Sequence, residues 1–73
     1  MGQWQNVDSS LIEKLAYNEK DELLTVKFKK GGVYSYQGVP RKTFEKMMVA
    51  PSVGSFFARQ IRNAFPFAKE DAE

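Results

Sequence analysis

The stretch LLTVKFKKGGVYSYQGVP, residues 23–40, decides the fold of this chain. Every second side chain from Leu24 to Phe28 is apolar and those between are polar, which is typical of a half-buried strand. Gly31 and Gly32 are expected to supply the positive φ angles of a hairpin turn. Alternation then resumes in VYSYQG. The stretch is therefore predicted to form a β-hairpin.

The orientation of Tyr34 and Tyr36 depends on the length of this turn, because side chains on paired strands share a face according to the parity of the loop. With a two-residue turn both tyrosines lie beside Lys27 and Lys29 and form an exposed aromatic and basic platform. With a three-residue turn they lie beside the apolar residues of the preceding strand, in the core. Both turn lengths are common, so the glycines alone do not decide.

The polar residues of the hairpin favour the three-residue turn. A two-residue turn would place Ser35 and Gln37 in the core, where their polar groups would lack hydrogen-bond partners. A three-residue turn places both on a polar outer face, together with Thr25, Lys27 and Lys29. We therefore predict that the two tyrosines belong to the core.

Segments on either side of the hairpin complete the element order. SSLIEKLAY (9–17) predicts a first strand and NEKDE (18–22) a turn, and three short strands with tight links favour an antiparallel meander. The period then becomes helical in RKTFEKMMVA (41–50), with Pro40 at the first turn and Pro51 as the stop.

A second helix is predicted after Ser52, which is a suitable N-cap residue. Its apolar residues recur at helical spacing and are Phe57, Ile61, Ala64 and Phe65. The predicted fold is a single α+β domain, residues 1–73, in which a three-stranded antiparallel β-meander is followed by two helices packed on one face (β-β-β-α-α).

The ordered core is expected to span about residues 9–67, with residues 1–8 and 68–73 as flexible ends. In the first of these ends Trp4 is the residue expected to dock. The predicted core consists of Leu24, Val26, Phe28, Tyr34, Tyr36, Phe44, Met47, Phe57, Ile61 and Phe65.

Composition excludes several kinds of chemistry. The chain has no histidine and no cysteine, so the commonest general base, the commonest activated nucleophile and the usual zinc ligands are missing. We expect no catalytic activity, no metal and no cofactor.

No apolar run approaches the roughly 20 residues of a membrane span, and the N-terminus lacks the features of a signal peptide. A cytoplasmic protein, monomeric by default, is expected.

Charge is concentrated in the middle of the chain. Residues 27–62 carry eight basic residues against the single acid Glu45, although the net charge is only +2. Such a distribution indicates either an anionic partner or an ordinary solvated surface. The candidate nucleic-acid contacts are Lys27, Lys29, Lys30, Arg41, Lys42, Arg59 and Arg62.

The predicted fold separates these candidates. Arg59 and Arg62 lie on the helix side, whereas Lys27 and Lys29 lie on the opposite face of the sheet, so a continuous patch is not expected. Buried tyrosines also leave no platform for stacking bases. RNA or another nucleic acid is the first candidate partner.

Another protein is the alternative partner. The edge strand of a small sheet can accept a further strand. Trp4 and Phe67 would be apolar anchors if they are exposed, and otherwise they pack over the ends of the core.

The order of short motifs resembles the KTSC domain family. The motifs are AY (16–17), L-x-V-x-F (24–28), VYSY (33–36), GVP (38–40), and S-x-G-x-F-F (52–57) followed by IR (61–62). The positions that carry the resemblance most clearly are Tyr34, Tyr36, Gly38, Pro40, Ser52 and Gly54. The resemblance covers roughly residues 9–65.

The resemblance implies a small module that is named for the C-terminus of some lysyl-tRNA synthetases and also occurs as stand-alone bacterial and phage proteins. It implies no catalytic residue, and it suggests RNA binding. Ser52 and Gly54 could form an anion site at a helix N-terminus, but a cap and a close helix contact explain them more simply.

Overall fold

The hairpin lies at the centre of a five-stranded antiparallel sheet whose strands follow one another in chain order. The computed structural model describes residues 4–70. The strands are β1 (Gln5–Asn6), β2 (Ile12–Asn18), β3 (Leu23–Phe28), β4 (Val33–Gln37) and β5 (Phe67–Glu70). The helices are α1 (Arg41–Met48) and α2 (Val53–Phe56), and α2 continues directly into a π-helical turn (Phe57–Ile61).

The α+β class is confirmed, but the predicted number of three strands is wrong. Two further strands lie at the edges of the sheet in segments that were expected to be flexible ends. In β1, Gln5 lies opposite Leu15, and in β5, Phe67 lies opposite Tyr36. An edge strand needs only one partner, so two to four residues suffice and leave little periodicity to detect. Residues 1–3 and 71–73 of the expected ends lie outside the described residues.

The three-residue turn of the hairpin is confirmed. Val26 lies opposite Tyr34 and Leu24 opposite Tyr36. The Phe28 amide donates a hydrogen bond of 3.2 Å to the Gly32 carbonyl, which leaves residues 29–31 as the turn. Both tyrosines therefore share a face with the apolar side chains of β3. Lys29 lies beyond the end of β3 and not on the outer face.

The prediction of positive φ angles at Gly31 and Gly32 is wrong. Among glycines of the described chain the positive φ lies at Gly38 (80°), where β4 ends, and the one non-glycine residue with positive φ is Glu22 (52°). Gly31 is needed for a different reason. A Cβ atom there would lie 3.3 Å from the Phe28 Cβ, so the turn folds closely over the strand.

The core lies between the sheet and the helices. Of the predicted core residues, Leu24, Val26, Tyr36, Met47, Phe57 and Ile61 are buried, whereas Phe28, Tyr34, Phe44 and Phe65 are partly buried and packed against them. The predicted core omitted five further apolar residues that are buried, Ile12, Leu15, Ala16, Val33 and Val39, of which Ile12, Leu15 and Val39 belong to the main cluster. An irregularity in register between Ile12 and Lys14 turns Ile12 and Leu15 to the same face, which breaks the alternation of β2.

Both helices begin at the predicted residues, and one residue, Pro40, has a different position in its helix than predicted. Ser52 is the N-cap of α2, and its hydroxyl accepts a hydrogen bond of 3.2 Å from the Ser55 amide. Pro40 is the N-cap of α1 and not part of its first turn. Ala64 is exposed, so its predicted place in an apolar stripe is wrong: the helix ends at Ile61.

The outer face of the sheet carries one buried polar residue. Ser35 lies on this face as predicted but is buried, because β5 adjoins it and its hydroxyl donates a 2.7 Å hydrogen bond to Glu70. On the opposite face, none of the helices between residues 4 and 70 has the length and apolar character that crossing a membrane requires.

Candidate functional site

An open pocket of about 600 Å³ lies on the helix-bearing face of the sheet. It is bounded by the β3–β4 turn, the residues after the π-helical turn, the segment before β2, and β5. Its volume lies within the range of roughly 300–1,000 Å³ that is usual for small-molecule sites. The lining has four aromatic residues, Phe28, Tyr34, Tyr36 and Phe67, and three cations, Lys29, Lys30 and Arg62.

The aromatic rings form one connected cluster. The Phe67 ring centroid lies 5.7 Å from the Tyr34 centroid and 5.7 Å from the Tyr36 centroid. Phe28 meets Tyr34 edge to face at 5.6 Å, and Tyr36 meets the buried Phe57 in the same way at 5.1 Å. Phe67 is 57% exposed, so the outermost ring of the cluster presents its surface to solvent.

The Tyr36 hydroxyl opens into this pocket. Tyr36 is only 3% exposed, and its hydroxyl makes no hydrogen bond to the described residues. No fully enclosed side-chain oxygen or nitrogen in that part of the chain lacks a partner. The hydroxyl must therefore reach solvent, and the ring lines the pocket. A donor held on a buried ring is thus available to a molecule in the pocket.

The electrostatics around Tyr36 connect it to the basic rim. Burial raises the pKa of the Tyr36 hydroxyl above its ordinary value, neighbouring Tyr34 raises it further, and Arg62 acts in the opposite direction. The hydroxyl therefore stays protonated at neutral pH. The guanidinium of Arg62 is close enough to act on it.

The cations of the rim have no acidic neighbours among the described residues of the lining. Within residues 4–70, no aspartate or glutamate lines the pocket. Lys29, Lys30 and Arg62 are exposed, and none forms an ion pair with an acid in the same range. No acid of residues 4–70 therefore compensates their positive charge at the mouth of the pocket, which favours an anionic group there.

The π-helical turn places one of these cations. The Arg62 amide donates to the Phe57 carbonyl at 2.9 Å, five residues back, where an α-helix would use the residue four back. A turn of this type inserts an extra residue and rotates the residues after it about the helix axis. Arg62 and Asn63 then line the pocket.

The structure does not bring the other predicted contacts to this pocket. Arg41 is the first residue of α1 and binds Glu19 at 2.8 Å and Glu45 at 2.9 Å. Lys27 is on the outer face, opposite Val33. Lys42 and Arg59 are exposed but do not line the pocket. Thus three of the seven candidates line the same pocket. One of them is Lys29, which was expected on the side of the sheet away from Arg62.

The remaining motif residues have structural roles. Gly38 has the positive φ that ends β4, and Pro40 caps α1. A Cβ atom on Gly54 would lie 2.9 Å from the Ser9 hydroxyl oxygen, so the close contact that was expected of this glycine is present. The Ser52 hydroxyl is already engaged by the Ser55 amide. These residues shape the frame around the pocket.

Sequence reasoning assigned Phe67 to a possible surface anchor and did not join it to the tyrosines. Phe67–Glu70 reads FAKE, two apolar residues followed by two charged ones, so no alternation indicated a strand there. Asn63 and Leu11 also line the pocket and carried no signal of their own.

In the described part of the chain no three acidic side chains come together in a way that could hold a metal ion.

Comparisons with known proteins identify a family and several relatives. The family model described as "KTSC domain" matches residues 8–65. A lysine–tRNA ligase from Nostoc punctiforme is 37% identical over 60 residues, which are 82% of this chain and 11% of the ligase. This chain therefore spans about one tenth of the length of that relative.

Two relatives of similar size also match. A protein from Tsukamurella paurometabola is 36% identical over 52 residues, which cover 71% of this chain and 78% of that protein. The crystal structure of a KTSC domain protein from Yersinia pestis superimposes with a TM-score of 0.92 at 34% identity. It covers 96% of this chain and 99% of the other.

Proposed function

The chain belongs to the KTSC domain family, and we propose that it is a non-catalytic domain that binds RNA through the pocket on the helix-bearing face. One observation carries the proposal. Aromatic rings and the three uncompensated cations Lys29, Lys30 and Arg62 line the same pocket, with no acid among its described residues. Basic groups next to aromatic faces are the combination that single-stranded nucleic acid binds.

Phe67 provides an aromatic surface for a base although the two tyrosines are buried or partly buried. Tyr34 and Tyr36 do face the core, but Phe67 on the neighbouring strand contacts both rings and is 57% exposed. The aromatic surface is therefore supplied by β5 and rests on the tyrosine pair.

A non-catalytic role is supported by the side chains that are present. The chain has neither histidine nor cysteine, and the pocket contains no carboxylate from residues 4–70. Lysine, arginine, tyrosine, serine and asparagine are left in the lining, and these suit binding better than proton transfer at neutral pH.

The relatives supply a context. A lysine–tRNA ligase is by its name an enzyme that acts on tRNA, and a segment of it matches this chain. Because the name of that enzyme specifies tRNA, RNA is the first nucleic acid to test.

Salt dependence of RNA binding tests the proposal. A short fluorescein-labelled single-stranded RNA of mixed sequence is titrated with the protein at several salt concentrations, with fluorescence anisotropy as the readout. Three phosphate contacts predict a slope of about −2 for log K against log salt, because each contact to a single strand contributes about −0.7. Replacing Lys29, Lys30 and Arg62 together by glutamine should remove most of this slope. Lys20→Gln, in the β2–β3 turn, is the matched control. An absence of binding at low salt would refute the proposal.

An interaction with another protein is the second candidate, because β5 is an edge strand that pairs only with β4 and whose residues are all exposed. Such a strand can accept a further strand from a partner. Sedimentation over a range of protein concentrations tests the simplest case, a second copy of this chain. Self-association that Phe67→Ala abolishes, in a protein that does not bind RNA, would favour this candidate.

A further inference from the structure

The pocket has a feature that phosphate binding does not require, the Tyr36 hydroxyl. A ring that is 3% exposed holds this group in place, and neither backbone nor side chain in the described chain satisfies it. Because the hydroxyl reaches solvent at the pocket, water satisfies it in the free domain. A ligand with its own hydrogen-bonding groups can take the place of that water.

Two further observations narrow the chemistry of that ligand. Phe67 lines the pocket and more than half of its side chain is exposed, so an aromatic surface is available that suits a flat ring more than a flexible chain. The mouth carries three cations and, within residues 4–70, no acid, which suits a group with negative charge on either side of that ring. A nucleobase with its flanking phosphates combines the flat face, the polar edge and the charges.

We infer that the pocket binds one unpaired nucleotide, with its base stacked on Phe67, its edge hydrogen-bonded to the Tyr36 hydroxyl, and its phosphates at Lys29, Lys30 and Arg62. This inference rests on the proposed function and adds to it the form of RNA that is recognised. A base inside a duplex is stacked on both faces and its pairing edge is occupied, so it cannot enter. The domain therefore selects single-stranded or looped RNA over a regular duplex.

Binding of one RNA sequence in two forms tests the inference. A fluorescein-labelled single strand of mixed sequence and the same strand annealed to its complement as a blunt duplex are each titrated with the full-length chain. We expect the single strand to bind at least about tenfold more tightly, since stacking of even one base is lost in the duplex.

Two substitutions locate the base. Phe67→Ala should weaken binding of the single strand by about fivefold or more, because the stacking face is lost, whereas Phe67→Trp should retain binding. Tyr36→Phe should weaken it by about threefold to tenfold through loss of one hydrogen bond. Tyr17→Phe is the matched control, because the Tyr17 hydroxyl is already bound to the Val39 carbonyl and should not affect RNA binding. Circular dichroism of each variant separates loss of binding from loss of folding.

The outcomes distinguish RNA binding in general from recognition of an unpaired base. Equal affinity for strand and duplex, with no effect of Phe67→Ala, would overturn the inference while leaving RNA binding in place. No binding of either RNA at low salt would overturn both. Selective binding of the single strand that depends on Phe67 and on Tyr36 would support both.

Discussion

The helix-bearing face of the sheet has two ends that use the same types of side chain in opposite ways. At the closed end, beside α1, Tyr17 stacks on Phe44 with ring centroids 4.5 Å apart, and its hydroxyl donates to the Val39 carbonyl at 2.6 Å. At the open end, beside β5, Tyr36 lies against Phe67 and its hydroxyl has no partner among the described residues. One tyrosine completes the fold, and the other offers its polar group to the pocket.

The arginines at the two ends differ in the same way as the tyrosines: one is paired within the fold and the other is not paired with an acid of residues 4–70. Arg41 binds both Glu19 and Glu45, and these acids also act on Tyr17. Arg62 has no acidic partner between residues 4 and 70 and acts on Tyr36. Under the proposed function, the closed end serves stability and the open end serves recognition, since polar groups left unsatisfied by the fold concentrate at functional sites.

The aromatic residues should show the largest difference between the ends. Phe44→Ala should lower the free energy of unfolding by about 2–3 kcal/mol, less than the roughly 3–5 kcal/mol lost at a fully buried phenylalanine, because the ring is only partly buried. Phe67→Ala should cost about 1 kcal/mol or less, because the ring is mostly exposed. Urea unfolding measures both. Equal losses would show that β5 is as much a part of the core as α1.

Exchange of the two arginines for glutamine should separate binding from structure. Arg62→Gln should weaken RNA binding by about tenfold, since a charge-assisted contact is lost, and leave the melting temperature unchanged. Arg41→Gln should leave RNA affinity unchanged, because its two acids already neutralise it. Anisotropy and thermal melting of the same samples provide the data. A comparable loss of affinity in both variants would instead indicate a diffuse basic surface.

Removal of each phenolic hydroxyl should affect stability at one end only. Tyr17→Phe should lower the free energy of unfolding by about 1 kcal/mol, because the Val39 carbonyl loses its donor. Tyr36→Phe should be neutral or slightly stabilising, because no hydrogen bond within the described chain is lost. The free energy of unfolding in urea, measured for both variants and for the unchanged chain, tests these two expectations. Destabilisation by Tyr36→Phe would mean that the fold itself uses this hydroxyl.

The smallest effect should appear at alkaline pH. Burial raises the pKa of Tyr17 and of Tyr36 above the ordinary value of 10.0. Above that pH the unfolded chain loses these protons first, so the free energy of unfolding should fall as the pH rises and level off once the raised pKa values are passed. Each Tyr→Phe variant should show a shallower fall, measured by unfolding at neutral pH and at about pH 11. Identical pH dependence in the variants and the unchanged chain would contradict the raised pKa values.

The sequence was sufficient for the central part of the fold because local patterns there are strong. Alternation in β3 and the polar residues Ser35 and Gln37 correctly placed the tyrosine pair in the core. Edge strands as short as β1 and β5 have almost no pattern. The irregular register near Ile12 hid two core residues, since it replaces alternation with a spacing of three.

The pocket was less accessible to prediction because it depends on three-dimensional proximity. Lys29 and Lys30 were among the predicted contacts, but their meeting with Arg62 requires the residues after the π-helical turn to face the hairpin. The exposed aromatic face requires Phe67 to return beside Tyr36 as an added strand. Neither event leaves a local signature in the sequence.

Phe67 lies outside the part of the chain that the family pattern matches. The matched family pattern ends at residue 65, yet this ring two residues later forms one wall of the pocket. A side chain that protrudes from an edge strand can be exchanged without disturbing the tyrosine pair on which it rests. Under the proposed function, a substitution at this position is expected to change ligand preference and to leave the scaffold of residues 8–65 in place.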